Sequence, residues 1–182
     1  MKEFTFHTEL WLPRRRDEVF PFFAEARNLE AITPPWLNFE VLTPGFGAMR
    51  TGALIDYRIR VHGIPIYWRT RIAEWNPPHR FVDVQLRGPY TLWHHTHIFE
   101  ERDGGTLCVD DVRYRPRGGV LMNWLFVRRD VESIFAFRTE RLAHIFREDS
   151  APSSSQSRDL HSQATALTKA LNGTVKDQHV TS

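Results

Sequence analysis

Residues 106–146 read TLCVDDVRYRPRGGVLMNWLFVRRDVESIFAFRTERLAHIF, and the hydrophobic period changes inside them. From Thr106 to Arg115 the pattern is that of a strand, with Cys108, Asp110, Val112 and Tyr114 on one face. Pro116 to Gly119 breaks it. From Val120 to Phe146 the apolar positions fall at Val120, Leu121, Trp124, Val127, Val131, Ile134, Phe135, Leu142 and Ile145. Arg128, Arg129, Glu132, Glu140 and Arg141 lie mostly on the other side, which is helical periodicity. Such a helix spans roughly 40 Å at about 1.5 Å per residue. A long amphipathic helix that follows a run of strands must lie across the sheet to bury its stripe.

Working upstream, Thr91–Glu100 is the partner strand, and Asp103-Gly104-Gly105 joins it to the last strand as a hairpin. Arg80–Leu86 is a strand set off by Asn76-Pro77-Pro78 and Gly88-Pro89. Ala53–Val61 alternates and meets the strand of Ile66, Trp68, Thr70 and Ile72 through a hairpin at Gly63. Phe39–Leu42 is a short strand, and Gly45–Gly47 a loop. The chain opens with a strand, Glu3–Leu12, ended by Pro13. A helical stretch bearing Val19, Phe20, Phe22, Phe23 and Ala26 follows, and Pro21 is expected to kink or shorten it. Asn28–Ile32 reads as a second short helix stopped by Thr33-Pro34-Pro35. Strand, two short helices, six strands and a long helix make an α+β helix-grip arrangement. In it a curved antiparallel sheet of about seven strands wraps a C-terminal helix, often around a hollow centre.

Composition bounds the function. Hydrophobic residues are 41% of 182, with 13 Phe and 6 Trp, enough for a core and a cavity lining. A net charge of +2 supplies no clustered positive field for nucleic acid. Arg14-Arg15-Arg16 is followed at once by Asp17 and Glu18 and reads as a solvated helix start. Cys108 is the one cysteine, so neither an internal disulfide nor a cysteine zinc cluster is available. The N-terminus does not read as a signal peptide, and no stretch approaches the about 20 apolar residues of a membrane span. The expectation is a soluble cytoplasmic protein without stable membrane insertion. Residues 148–182 are rich in Ser, Thr, Gln and Asp and contain no aromatic residue. They are read as a disordered polar tail after a domain of residues 1–147.

Five motifs then carry a family resemblance: Asn28–Pro35 (NLEAITPP), Gly63–Trp68 (GIPIYW), Phe81–Pro89 (FVDVQLRGP), Trp93–Phe99 (WHHTHIF) and Asp110–Tyr114 (DDVRY). Together they resemble the SRPBCC ligand-binding domains of the START-like superfamily. That superfamily includes the birch-pollen allergens, lipid-transfer domains and polyketide cyclases. The likeness covers about residues 3–147. It implies a deep cavity between sheet and helix for an apolar or amphipathic small molecule. It names no ligand and no reaction, because one fold hosts many functions.

Strand parity places Trp93, His95, His97 and Phe99 on the helix-facing side, near Asp110, with Asp83 and Gln85 on the preceding strand pointing the same way. Four readings of this set stand side by side: a self-satisfied hydrogen-bond network, a polar anchor for a ligand, a metal site in which Asp110 is the third ligand, and a histidine acid–base pair. No metal and no cofactor is expected. The candidate ligand-binding set is Tyr57, Trp68, Gln85, Trp93, His95, His97, Asp110, Tyr114, Phe135 and Arg138. Arg138 is read either as the partner of a ligand carboxylate or as snorkelling to solvent. Phe22, Trp36 and Phe46 are candidate lid or mouth residues. The function expected is small-molecule binding, with a cyclase/dehydrase-type enzyme using His95 and His97, or an interaction module with a filled core, as alternatives.

Overall fold

The computed structural model describes residues 2–43 and 49–148. Strand β1 (Phe4–Leu12) leads into α1 (Arg16–Ala24) and α2 (Asn28–Ala31). After a 3-10 turn at Pro35–Leu37 come β2 (Glu40–Val41), β3 (Leu54–Val61), β4 (Ile64–Asn76), β5 (Arg80–Arg87), β6 (Tyr90–Arg102) and β7 (Gly105–Pro116). A helical stretch follows, made of α3 (Gly119–Met122), a π turn (Asn123–Val127) and α4 (Arg128–Glu148). The expected loop at Gly45–Gly47 and the polar tail lie outside the described residues, apart from Glu148. Among the described residues, no helix is long and apolar enough to cross a membrane.

The seven strands form one antiparallel sheet in the order β1-β7-β6-β5-β4-β3-β2. Two of its hairpins are two-residue turns, His62-Gly63 (φ 50° and 80°) and Asp103-Gly104 (φ 51° and 75°). Positive φ at both central residues is what a type I′ turn needs, and its twist matches that of the flanking strands. The turns set the registers on either side. Val61 therefore pairs with Ile64, and Arg102 with Gly105.

Two clusters join the sheet to the helices. Phe20 of α1 packs with Phe81, Phe99, Leu142 and Phe146, and at the other end Val112 and Tyr114 pack with Val131 and Phe135 of α4. Of two expectations about the helices, the first holds and the second needs correction. The first helix is short, nine residues, and runs through Pro21. A helix this short loses only one internal hydrogen bond at Pro21, and the buried Val19 and Phe20 hold it in place. The second concerns the start of the long helix, where Leu121 and Trp124, read as part of the buried stripe, are 63% and 74% exposed. The π turn inserts residues into the helical repeat and rotates everything N-terminal to it. Val131 and Phe135, beyond it, are buried as expected, and Asn123 is buried where the stripe would have placed Trp124.

Candidate functional site

Between the sheet and α4 lies a cavity of about 1010 Å³. Its walls come from the inward parity of the central strands. Tyr57 and Trp68 are cross-strand partners with rings stacked 5.7 Å apart, and Trp93 meets Trp68 edge-on at 5.4 Å. Trp68 Nε1 donates to Thr70 Oγ1 at 3.0 Å, and the Tyr57 hydroxyl lies 3.3 Å from the same oxygen. The polar tips of Tyr57 and Trp68 are thus satisfied on one threonine. Phe135 and Arg138 of α4 form the opposite side, and Phe22 and Trp36 flank the cavity from the short helices. Trp36 rests on Phe137 with ring centroids 5.6 Å apart and is largely exposed. Phe46 lies outside the described residues.

The polar part of the wall is one buried cluster drawn from three adjacent strands and the helix. Asp83 pairs with His95 across β5–β6, and His97 with Asp110 across β6–β7. The two imidazoles sit 3.7 Å apart, centre to centre, and Phe81 stacks on His97 at 4.0 Å. His95 places Nε2 2.8 Å from Asp110 Oδ1 and Nδ1 3.4 Å from Asp83 Oδ2. His97 places Nε2 3.0 Å from Asp83 Oδ2, and Nδ1 2.8 Å from Asp110 Oδ1 but out of line for a hydrogen bond. Arg138 Nη2 stands 4.0 Å from Asp110 Oδ1, and its guanidinium lies over Phe23 and Phe135. With its side chain only 13% exposed, Arg138 does not snorkel to solvent but points inward.

Electrostatics follow from this packing. Burial opposes ionisation of Asp110, but the Arg138 guanidinium and the two adjacent histidines outweigh it and hold the carboxyl well below the usual carboxylate range. Burial likewise opposes ionisation of Asp83, and His95 and His97 turn the balance toward the carboxylate. Burial, and then the neighbouring His97, lower His95 below an ordinary imidazole. The Cys108 thiol is pushed up to about 12 by burial and by Asp110, which removes it as a nucleophile.

These shifts predict loss of stability on acidification. A depressed His95 leaves the unfolded chain binding the extra proton first, so stability falls as pH drops from about 6.5 and levels off below the folded value. The depressed Asp83 and Asp110 contribute stability that is present above about pH 3.9 and lost as pH falls through their folded values. Exposed His7, raised by its hydrogen bond to Asp111, works in the opposite sense. Melting temperature should be measured against pH for the native chain and His95→Gln, with chelator present. The step near neutral pH should shrink in the variant. An unchanged profile would exclude His95 as its source.

Of the candidate ligand-binding residues, Tyr57, Trp68, Trp93, His95, His97, Phe135 and Arg138 line the cavity. Asp110, beside both histidines, is not among the residues that line the cavity. Tyr114 is buried in the cluster with Val131 and Phe135. Gln85 is turned to the β5–β6 turn, where its Nε2 donates to Tyr90 O at 2.8 Å and its Oε1 accepts from Tyr90 N at 3.3 Å. Gly88 has φ 156°, a conformation that other residues rarely adopt, and a Cβ there would also displace that side chain. Asp83, left out of the candidate set, belongs to the site. The parity it shares with Phe81 was the available signal.

No family model and no curated protein sequence matches the chain. Solved structures do. Protein Ms6760 from Mycobacterium smegmatis is 16% identical, with a TM-score of 0.60 over 80% of this chain and 92% of that one. Ara h 8.0201 is 14% identical, with a TM-score of 0.59 over 81% of this chain and 99% of that one. The major latex-like protein 151 from Panax ginseng is 10% identical, with a TM-score of 0.58 over 79% of this chain and 97% of that one. The chain has the helix-grip fold of the birch-pollen-allergen type. In this helix-grip protein the grip is the contact of β7 and β1 with α4, and the hollow is the volume under β3 to β6. At these identities the likeness concerns the fold.

Proposed function

We propose that the protein, soluble and cytoplasmic, binds an apolar or amphipathic small molecule in this cavity, of lipid-like, polyketide-like or aromatic character. The supporting observation is the combination of an aromatic wall with a single buried polar cluster, the composition of a pocket that accepts an apolar body and orients one polar group. The volume matches the upper end of the about 300–1,000 Å³ range of small-molecule pockets. Burial would drive binding at about 25 cal/mol per Å² of apolar surface before ordering costs. His95, His97 and Arg138 would hold the polar end. A volume of this size speaks against an interaction module with a filled core. The buried His–Asp contacts favour the enzyme as a second reading, in which the same imidazoles transfer protons on a polyketone or aromatic substrate.

Anilinonaphthalene sulfonate and oleate are suitable probes. Both should bind saturably to the native chain, with oleate displacing the fluorophore. Ile66→Trp, which fills the cavity from β4, should weaken both by at least about tenfold, or 1.4 kcal/mol. Lack of saturable binding by either probe, or equal binding by the filled variant, would remove the cavity from the proposal.

A further inference from the structure

The His–Asp cluster has an internal order that a simple hydrogen-bond network does not require. Each imidazole turns one nitrogen to Asp83 and the other to Asp110. His95 Nδ1 and His97 Nε2 face Asp83 Oδ2 at 3.4 and 3.0 Å, while His95 Nε2 and His97 Nδ1 each lie 2.8 Å from Asp110 Oδ1. Asp83, His95 and His97 offer ligand atoms that all lie within 4.8 Å of one another. Three donors about 2.1 Å from one ion stand about 3.0–3.4 Å apart, so the two Asp83 distances already have that spacing. We propose that Asp83, His95 and His97 form a binding site for one divalent transition-metal ion, with Asp110 as the carboxylate beside both histidines.

Charge supports the same reading. With neutral imidazoles, the two carboxylates and Arg138 leave the buried set one negative charge in excess, and an uncompensated charge inside a protein is costly. A dication with a hydroxide or another anionic donor at an open position would bring the set to neutrality, with coordination in place of the His97–Asp83 hydrogen bond. Asp110 then has a distinct task. A histidine that binds metal through one nitrogen commonly donates its other N–H to a carboxylate, which fixes tautomer and ring orientation. Two nitrogens and one carboxylate oxygen suit Zn²⁺ or Fe²⁺ rather than Mg²⁺ or Ca²⁺. All three ligands line the cavity and Asp110 does not. The ion would therefore keep at least one position open to the cavity, for water or an oxygen donor of a bound molecule. Only this last step rests on the cavity being a ligand site. The metal site stands on the ligand geometry alone.

The test uses the full chain, stripped with chelator and titrated calorimetrically with Zn²⁺ alone, so that it reads independently of any organic ligand. One ion per chain is expected. Asp110→Asn should weaken it by about 10–100-fold, and Asp83→Asn by at least as much. His7→Ala should leave it unchanged, because His7, Glu9 and Asp111 form the exposed competitor. No binding at submillimolar Zn²⁺, or binding insensitive to Asp83→Asn, overturns the proposal and leaves an internal His–Asp network only. If Asp83→Asn fails to fold, Co²⁺ added to the native chain decides. An intensified visible absorption is expected from nitrogen and oxygen ligation at low coordination number. The weak spectrum of the aqua ion would overturn the site.

Discussion

Asp110→Ala is expected to lower the unfolding free energy by about 3–5 kcal/mol, the cost of breaking a buried ion pair from one side. The carboxylate accepts from His95 Nε2, lies against His97 Nδ1 and faces Arg138, all in a region withdrawn from water. Removing it leaves a buried guanidinium whose Nε already has no hydrogen-bond partner. Urea unfolding in the presence of chelator gives the value. The double variant with Arg138→Met separates the causes, because it removes the stranded charge as well. It should be more stable than the sum of the single losses implies, with a coupling of about 0.5–3 kcal/mol. A single-variant loss below about 1 kcal/mol, the scale of exposed pairs, would mean that water screens the cluster.

Phe20→Ala should cost about 3–5 kcal/mol through a different mechanism, the loss of transfer energy plus an unfilled void. Phe20 is 5% exposed and its ring meets Trp75 at 5.1 Å, Phe99 at 5.3 Å and Phe81 at 6.4 Å. It ties α1 to β4, β5 and β6 at the end of the sheet away from Tyr114. Because α1 is only nine residues long, little but this packing keeps it folded. The loss should appear in the urea midpoint with an unchanged slope. A changed slope would show that α1 detaches separately rather than as part of one cooperative unit.

The two variants probe two levels at which the sequence could be read. Phe20 was legible as core, because it sits in an apolar helical stretch between a strand and a turn. The inward faces of β3, β4 and β6 were equally legible, since parity along a strand follows from the pleat. Tyr57, Trp68, Trp93, His95 and His97 therefore reach the cavity as expected. Where parity was the sole guide, other forces overruled it. Gln85 shares parity with Asp83, yet it is captured by the backbone of the turn beyond it. Trp124 has the spacing of a buried residue, but the π turn shifts the helix phase ahead of it. Arg138 was read two ways, and the presence of Asp110 beneath it made the inward orientation favourable.

The order of elements, the hairpins at Gly63 and Gly104, and the apolar faces of the strands can all be read along the chain. Those features depend on residues close together in the chain: alternation, turn conformations with positive φ, and the helical repeat. The tertiary structure settled the pairing of β5 with β6 that adds Asp83 to His95, His97 and Asp110. It also decided that α4 brings Arg138 to that cluster. Both depend on pairings between distant segments, where a shift of one residue in register would have turned the same side chains to solvent.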